Sequence, residues 1–154
     1  MLKIDASKQR LFLLDANDNL LAEYPISTAA NGLGEQKNSF KTPRGRHQVR
    51  AKIGGGMPVN TIFKGRRPTG EIYQNGMGHK QDWILTRILW LSGLMPGFNR
   101  LGDVDTMQRY IYIHGTADEA QIGKPVSHGC IRMRNHDILE LYNHVQIGDH
   151  VYIK

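Results

Sequence analysis

The stretch Arg109-Tyr110-Ile111-Tyr112-Ile113-His114-Gly115-Thr116 decides the fold class. Tyr110, Ile111, Tyr112 and Ile113 are aromatic or β-branched, the side chains that pack best on a pleated surface. They predict a strand over 109–113 with His114 at its C-terminal end. Working outward, similar runs occur at Leu2–Asp5, Leu11–Asp15 and Leu20–Ile26. The turn cluster Ala16-Asn17-Asp18-Asn19 joins the last two into a hairpin or meander. Asn31–Ser39 reads as a loop. Over Arg46–Ile53, Val49, Ala51 and Ile53 alternate with polar residues, as on a half-buried strand, until Gly54-Gly55-Gly56-Met57-Pro58 breaks the pattern. Residues 70–74 predict a further short strand. Trp83–Leu91 is rich in β-formers and predicts another, placing Arg87 on a face with Leu85, Leu89 and Leu91. A long loop runs from Met95 through Thr106. Asn135 has the chemistry of an N-cap for a helix over His136–Val145, with Asp137 suited to its first turn. His150–Ile153 closes the chain as a strand. The sum is a single, mostly-β domain over residues 1–154, a sandwich or partly closed barrel with one main helix near the C-terminus.

The chain has one cysteine, Cys130, within Ser127-His128-Gly129-Cys130-Ile131-Arg132-Met133, sixteen residues after His114. A thiol beside an imidazole is what nucleophilic catalysis needs, because the imidazole takes the proton that keeps sulfur unreactive. A lone cysteine also serves as a small core residue. The glycines, histidines and arginine around this one favour the reactive reading. Gly115 and Gly129 leave room beside the backbone, and N–H groups at Gly129 suit an oxyanion site. Two imidazoles compete for the role of base. His128 shares a face with Cys130 on an extended segment, whereas His114 approaches from a separate strand end; spacing does not choose between them. No Asp or Asn is placed as a third member, which leaves a backbone carbonyl to orient the ring. Arg132 shares the Cys130 face, where a guanidinium lowers a thiol pKa and binds a carboxylate. His114, His128 and Cys130 are also ligand types that zinc accepts, but the motif lacks a supporting carboxylate and no metal is assigned. His47, His79, His136, His144 and His150 read as surface or turn residues without a role.

Composition narrows the function classes. One thiol excludes a disulfide framework and a cysteine-rich zinc site. The longest mostly apolar stretch, Trp83–Leu94, is too short to span a bilayer and contains Arg87, so no membrane partner is expected. The N-terminus shows no apolar run of signal-peptide length, which predicts a cytoplasmic protein. The net charge of +6 includes Arg44, Arg46, Arg50, Lys52, Lys64, Arg66 and Arg67. No recognition helix, aromatic RNA platform or zinc finger accompanies this stripe, so it predicts steering of a carboxylate-bearing ligand and not nucleic-acid binding. A non-catalytic basic binding module is the reading from another class. No cofactor is expected, since the glycine run at 54–56 lacks the Gly-Lys-Ser/Thr of a phosphate loop. Oligomeric state is silent.

His114-Gly115-Thr116, then Ile122-Gly123-Lys124-Pro125-Val126-Ser127-His128-Gly129-Cys130-Ile131-Arg132-Met133 with Asn135 and Asp137, and the earlier Thr42-Pro43-Arg44-Gly45, resemble the L,D-transpeptidase catalytic domain of the YkuD family. The resemblance covers nearly the whole chain. It implies a β-sandwich and a cysteine acyl-transfer enzyme whose partners are peptidoglycan stem peptides or muropeptides. It implies Cys130 as nucleophile, His114 as general base and acid, and the Gly115 carbonyl as the group that orients the imidazole. His128 and Gly129 would border the oxyanion site, and Arg132 and Ser127 would bind substrate. The bond attacked would join the L-centre of meso-diaminopimelate to a terminal D-Ala. The sequence departs from secreted members in its bare N-terminus and resembles small L,D-carboxypeptidases of muropeptide recycling, so hydrolysis is expected over 3,3 crosslinking.

Overall fold

The computed structural model describes residues 1–78 and 82–154, so His79 lies outside the described residues. Among the described residues there are ten strands: β1 (Leu2–Asp5), β2 (Arg10–Leu14), β3 (Leu20–Pro25), β4 (Gly45–Ile53), β5 (Thr61–Lys64), β6 (Arg67–Ile72), β7 (Ile84–Gly93), β8 (Tyr112–Gly115), β9 (Ile131–Met133) and β10 (His150–Ile153). Among them there is also one α-helix, α1, over Asn135–His144. The strands run in the order β3-β2-β1-β10-β4-β7-β5-β6, and β8, carrying β9, branches from β7. The domain is mostly β, as the sequence predicts.

β7 is the hub, because β4, β5 and β8 all hydrogen-bond to it. Leu85 through Leu89 are all buried, which is the pattern of a strand covered on both faces. Leu89 and Leu91 enter the main core with Leu2, Ile4, Val49, Ile113, Ile131, Met133, Ile138 and Leu141. Arg87 lies over the ring of Tyr142, 5.5 Å from its centroid, while Leu85 falls into a separate cluster with Ile62 and Tyr73. A register shift between Leu85 and Ile88 against β8 separates them, and Thr86 carries φ +75° within it. That geometry marks a bulge, where one strand bends relative to its partner.

Five segments differ from the sequence expectation, one of them β9, a three-residue strand that has no counterpart in it. β8 begins at Tyr112, not Arg109, because Tyr110 takes φ +56° in a turn. Asp105 organises that turn by accepting the N–H groups of Leu101 and Gln108. β5, four residues between Asn60 and Gly65, has no counterpart in the sequence expectation, and β6 overlaps the expected 70–74 but begins three residues earlier, at Arg67. The helix starts at Asn135 itself, with Arg134 at its cap position and no side-chain cap bond. Its first N–H is met from elsewhere in the chain, by Glu119 Oε2 at 2.7 Å, a carboxylate placed where a helix N-terminus favours negative charge.

His47 is fully buried and not a surface residue. Its ring nitrogens lie 3.0 Å from Gly45 O and 3.0 Å from Thr106 Oγ1. Beside it the buried Asn99 side chain donates to Arg44 O and Arg46 O and accepts from Met95 N–H, tying loop 95–106 to the start of β4. Burial pushes the His47 imidazole down to about 4 from 6.5. Between those values the unfolded chain holds a proton that the folded one does not, so stability is complete above 6.5 and falls as pH drops toward 4. The loss reaches about 3 kcal/mol. Replacing His47 with Gln is expected to flatten this part of the pH dependence of the urea midpoint. An unchanged slope in the variant would assign the acid sensitivity to other groups.

Candidate active site

β8 and β9 pair in parallel, with Ile113 opposite Ile131 and His114 opposite Arg132. Ile113, Ile131 and Met133 point into the main core. By the two-residue period of a strand, Tyr112, His114, Cys130 and Arg132 therefore share the other face. Cys130, one step before β9, packs beside Tyr112. Its Sγ lies 3.3 Å from the Tyr112 N–H nitrogen and 3.4 Å from Tyr110 O. His114 is the diagonal neighbour of Cys130 and Arg132 flanks His114. β9 is short, but Ile131 and Met133 are fully buried, worth roughly 1.5–3 kcal/mol each. Ser27 also exchanges two backbone hydrogen bonds of 2.9 Å with Arg132.

His114 is fully buried. Its Nδ1 lies 2.6 Å from Gly115 O, the contact that the resemblance implies, while Nε2 has no partner among the described residues. A ring that donates from Nδ1 keeps its basic lone pair on Nε2. Burial holds the imidazole below its ordinary value, against a weaker upward pull from Asp82. The shift favours the neutral ring, whose Nε2 carries the lone pair that can accept a proton.

The Gly115 carbonyl is held in turn. A Cβ at Gly115 would collide with Asn135 Oδ1 and would lie 2.7 Å from Leu85 O. Thr86 Oγ1 donates to Asn135 Oδ1 at 2.6 Å, and Asn135 Nδ2 donates to Thr116 O at 2.8 Å. Asn135, expected as a helix cap, instead braces the strand end that carries His114.

The turn before Cys130 is fastened from inside. Ser127 is 1% exposed; its hydroxyl donates to Cys130 O at 2.6 Å and accepts the Gly129 N–H at 3.1 Å. The Ser127 hydroxyl, expected at the substrate, makes both of these contacts within the turn. The Gly129 N–H, expected at the oxyanion, is engaged by the same hydroxyl. Gly129 itself has φ +133°, a conformation that needs glycine. Thr42 Oγ1 donates to Gly129 O and accepts from Ala29 N, both at 2.9 Å. Arg109, read from sequence as a strand residue, donates to the carbonyls of Gly34, Glu35 and Lys41, pinning loop 34–41 beside the turn.

Asp82 was absent from the sequence reading. It stands in the loop before β7, where no motif marks it. Its Oδ1 lies 2.9 Å from Arg132 Nη2 and its Oδ2 3.4 Å from His128 Nδ1. The His128 side chain is 66% exposed and edges against Phe40, unlike the enclosed His114. A cleft of about 320 Å³ lined by Phe40, Arg109, Tyr110, Ile111 and His128 opens beside it. Burial pushes Cys130 up to about 12, opposed by the Tyr112 N–H and, more weakly, by Arg132 and Arg109, while Asp82 adds to the rise. The depression expected from Arg132 is present in direction but outweighed by desolvation. No group of three or more His, Cys, Asp or Glu among the described residues is arranged to hold a metal. No helix among them is long and apolar enough to cross a membrane.

Comparison with known proteins gives this arrangement its class, an L,D-transpeptidase catalytic domain, whose family pattern matches residues 1–153. The chain belongs to the YkuD family of L,D-transpeptidases, an enzyme class. The Bacillus subtilis protein YqjB, which carries the name of an L,D-transpeptidase, is 31% identical over 117 residues, covering 76% of this chain and 54% of that protein. ErfK/SrfK of Salmonella typhimurium, also named for that activity, is 51% identical over 45 residues, 29% of this chain and 15% of the relative. The chain thus spans about half the length of YqjB and a smaller part of ErfK/SrfK. Solved structures of the same fold include L,D-transpeptidases from Mycobacterium smegmatis (19% identity, 99% of this chain and 57% of that one, TM-score 0.57) and Xylanimonas cellulosilytica (18%, 99% and 59%, TM-score 0.58).

Two outcomes follow from this geometry. With the thiol pushed up to about 12, alkylation of Cys130 by iodoacetamide is expected to accelerate about tenfold per pH unit from 7 to 10, following the thiolate fraction. A plateau below pH 8 would show an activated thiolate instead. Gly115→Ala is expected to displace β8 and its imidazole, costing roughly 1–3 kcal/mol in a melt, as overpacking does, together with most turnover of any substrate processed by wild type. A variant with wild-type turnover would detach the Gly115 carbonyl from catalysis.

Proposed function

We propose that this chain is a cysteine acyl-transfer enzyme of peptidoglycan stem peptides, cleaving the bond between the L-centre of meso-diaminopimelate and the terminal D-Ala of a tetrapeptide. The observation that carries the reading is His114 on the Cys130 face, its Nδ1 tied to Gly115 O at 2.6 Å and its Nε2 unengaged among the described residues. His114 Nε2 removes the thiol proton as Sγ attacks the scissile carbonyl, so the thiol need not first become a free anion. The oxyanion faces the backbone N–H of Cys130, since that of Gly129 is held by Ser127. Collapse expels the D-Ala amine, which takes the proton from His114 and leaves a thioester on Cys130. His114 then deprotonates the acceptor that attacks the thioester.

Water is the acceptor in the first reading and yields the tripeptide. A stem-peptide amine, giving a 3,3 crosslink, is the second reading, supported by relatives named as transpeptidases. Incubation with a disaccharide tetrapeptide is expected to release D-Ala and tripeptide, with a transient mass increase on the protein equal to the tripeptide acyl group. Cys130→Ala is expected to retain the wild-type melt and release no D-Ala. Product composed only of crosslinked dimer would decide for transfer, and D-Ala release by the alanine variant would remove Cys130 as nucleophile.

A further inference from the structure

Arg132 and His128 lie on either side of Cys130 in the chain, and both turn a cationic or hydrogen-bonding nitrogen toward one carboxylate, that of Asp82. Arg132 is 8% exposed and its Nε is buried with no partner among the described residues. A guanidinium offers Nε and Nη2 along one edge, the fork that matches both oxygens of a carboxylate. The same molecule shows that fork filled, where Arg44 gives Nε and Nη2 to the two oxygens of Glu35 at 3.0 and 2.9 Å. Asp82 takes only Nη2 of Arg132, its other oxygen being turned to His128. The Arg132 fork is therefore half used, in a site where an unsatisfied buried donor is costly. Asp82 also sits close enough to the reacting pair that its charge raises both the Cys130 thiol and the His114 imidazole.

We propose that Arg132 and His128 form a cradle for the terminal α-carboxylate of a peptide and that Asp82 is its resident occupant, displaced when the peptide binds. This rests on the acyl-transfer reading only for which peptide arrives. In a tetrapeptide ending in D-Ala, the terminal carboxylate is one residue beyond the scissile carbonyl, close enough for a cradle beside Cys130 to hold it on the leaving-group side. An incoming carboxylate gains the free Nε of Arg132, and Asp82 is the competitor that it must replace. Asp82 thereby sets the affinity for free C-terminal acids against amidated or extended chains.

The test is titration of the full-length chain with N-acetyl-D-alanine and, separately, its neutral amide, followed by NMR. Asp82→Asn keeps the shape and removes the competing charge. It is expected to bind the acid roughly tenfold more tightly than wild type, the scale of one charged hydrogen bond, with binding of the amide unchanged. Adding Arg132→Ala to that variant is expected to abolish the gain. If Asp82 merely holds Arg132 and His128 in place, Asp82→Asn binds the acid no better or worse, and the proposal falls. An equal gain for acid and amide overturns it as well. Where the tetrapeptide is turned over, its KM is expected to fall in step. Absence of turnover by wild type would remove the functional reading, while the titration would still decide the role of Asp82.

Discussion

The parallel pairing of β8 with β9 is the constraint on which the site depends. Neither strand is long, and hydrogen bonds between them contribute modestly on balance. What fixes the register is burial of Ile113, Ile131 and Met133 on the core side. A slip of one residue would send those side chains to the other face and turn His114 and Arg132 into the core. The hydrophobic pattern that stabilises the fold is thus the same one that brings an imidazole and a thiol onto one surface. Parallel pairing requires a long connection between the two strands. Here it is the segment 116–130, whose last turn carries the cysteine.

Desolvation biases both groups toward their neutral forms, the thiol pushed up and the imidazole held down. In the proposed reaction the proton therefore moves as the carbon–sulfur bond forms, rather than from a standing thiolate–imidazolium pair, and preorganised backbone donors act on the developing charge. The net charge of +6 does little for the thiol directly, since Arg132 and Arg109 are outweighed by desolvation and are committed to Asp82 and to loop carbonyls.

Much of this was legible in the sequence, and what was not has identifiable causes. The strands β1, β2, β3, β4, β7 and β10 and the helix follow from apolar period and turn residues, within a residue or two at their ends. β8 was displaced because Tyr110, a good strand former by composition, adopts a left-handed turn imposed by Asp105 and Arg109, contacts that propensity cannot see. β9 is three residues held by long-range burial, so no local pattern announces it. Cys130 and His114 were visible as residue types at a spacing, whereas the Gly115 carbonyl was named only by the family resemblance. Ser127 and Gly129 were read toward substrate because a motif shows which residues recur together without showing which way a hydroxyl or an N–H points. Asn135 was read as a cap for the same reason. Asp82 was invisible because its partners are far away in the chain, and its segment has no signature.

The supports that sequence reading missed share a direction. Ser27 and Ala29 bridge to the segment of Ser127 and Arg132, Thr42 grips the Gly129 carbonyl, and Arg109 anchors loop 34–41 against the same turn. Thr86, Asn135 and Glu119 brace the strand end at Gly115 in the same manner. Cys130 and His114 are thus held by two separate polar networks, drawn from different parts of the chain and joined through the β8–β9 pair. Under the proposed function each network keeps one reacting group still, so the entropy of their approach is lost on folding and not on each turnover. Asp82 is attached to this frame by side-chain contacts to Arg132 and His128. That lighter attachment is what the proposed exchange of Asp82 for a ligand carboxylate draws on, while the Cys130–His114 pair stays fixed in the frame.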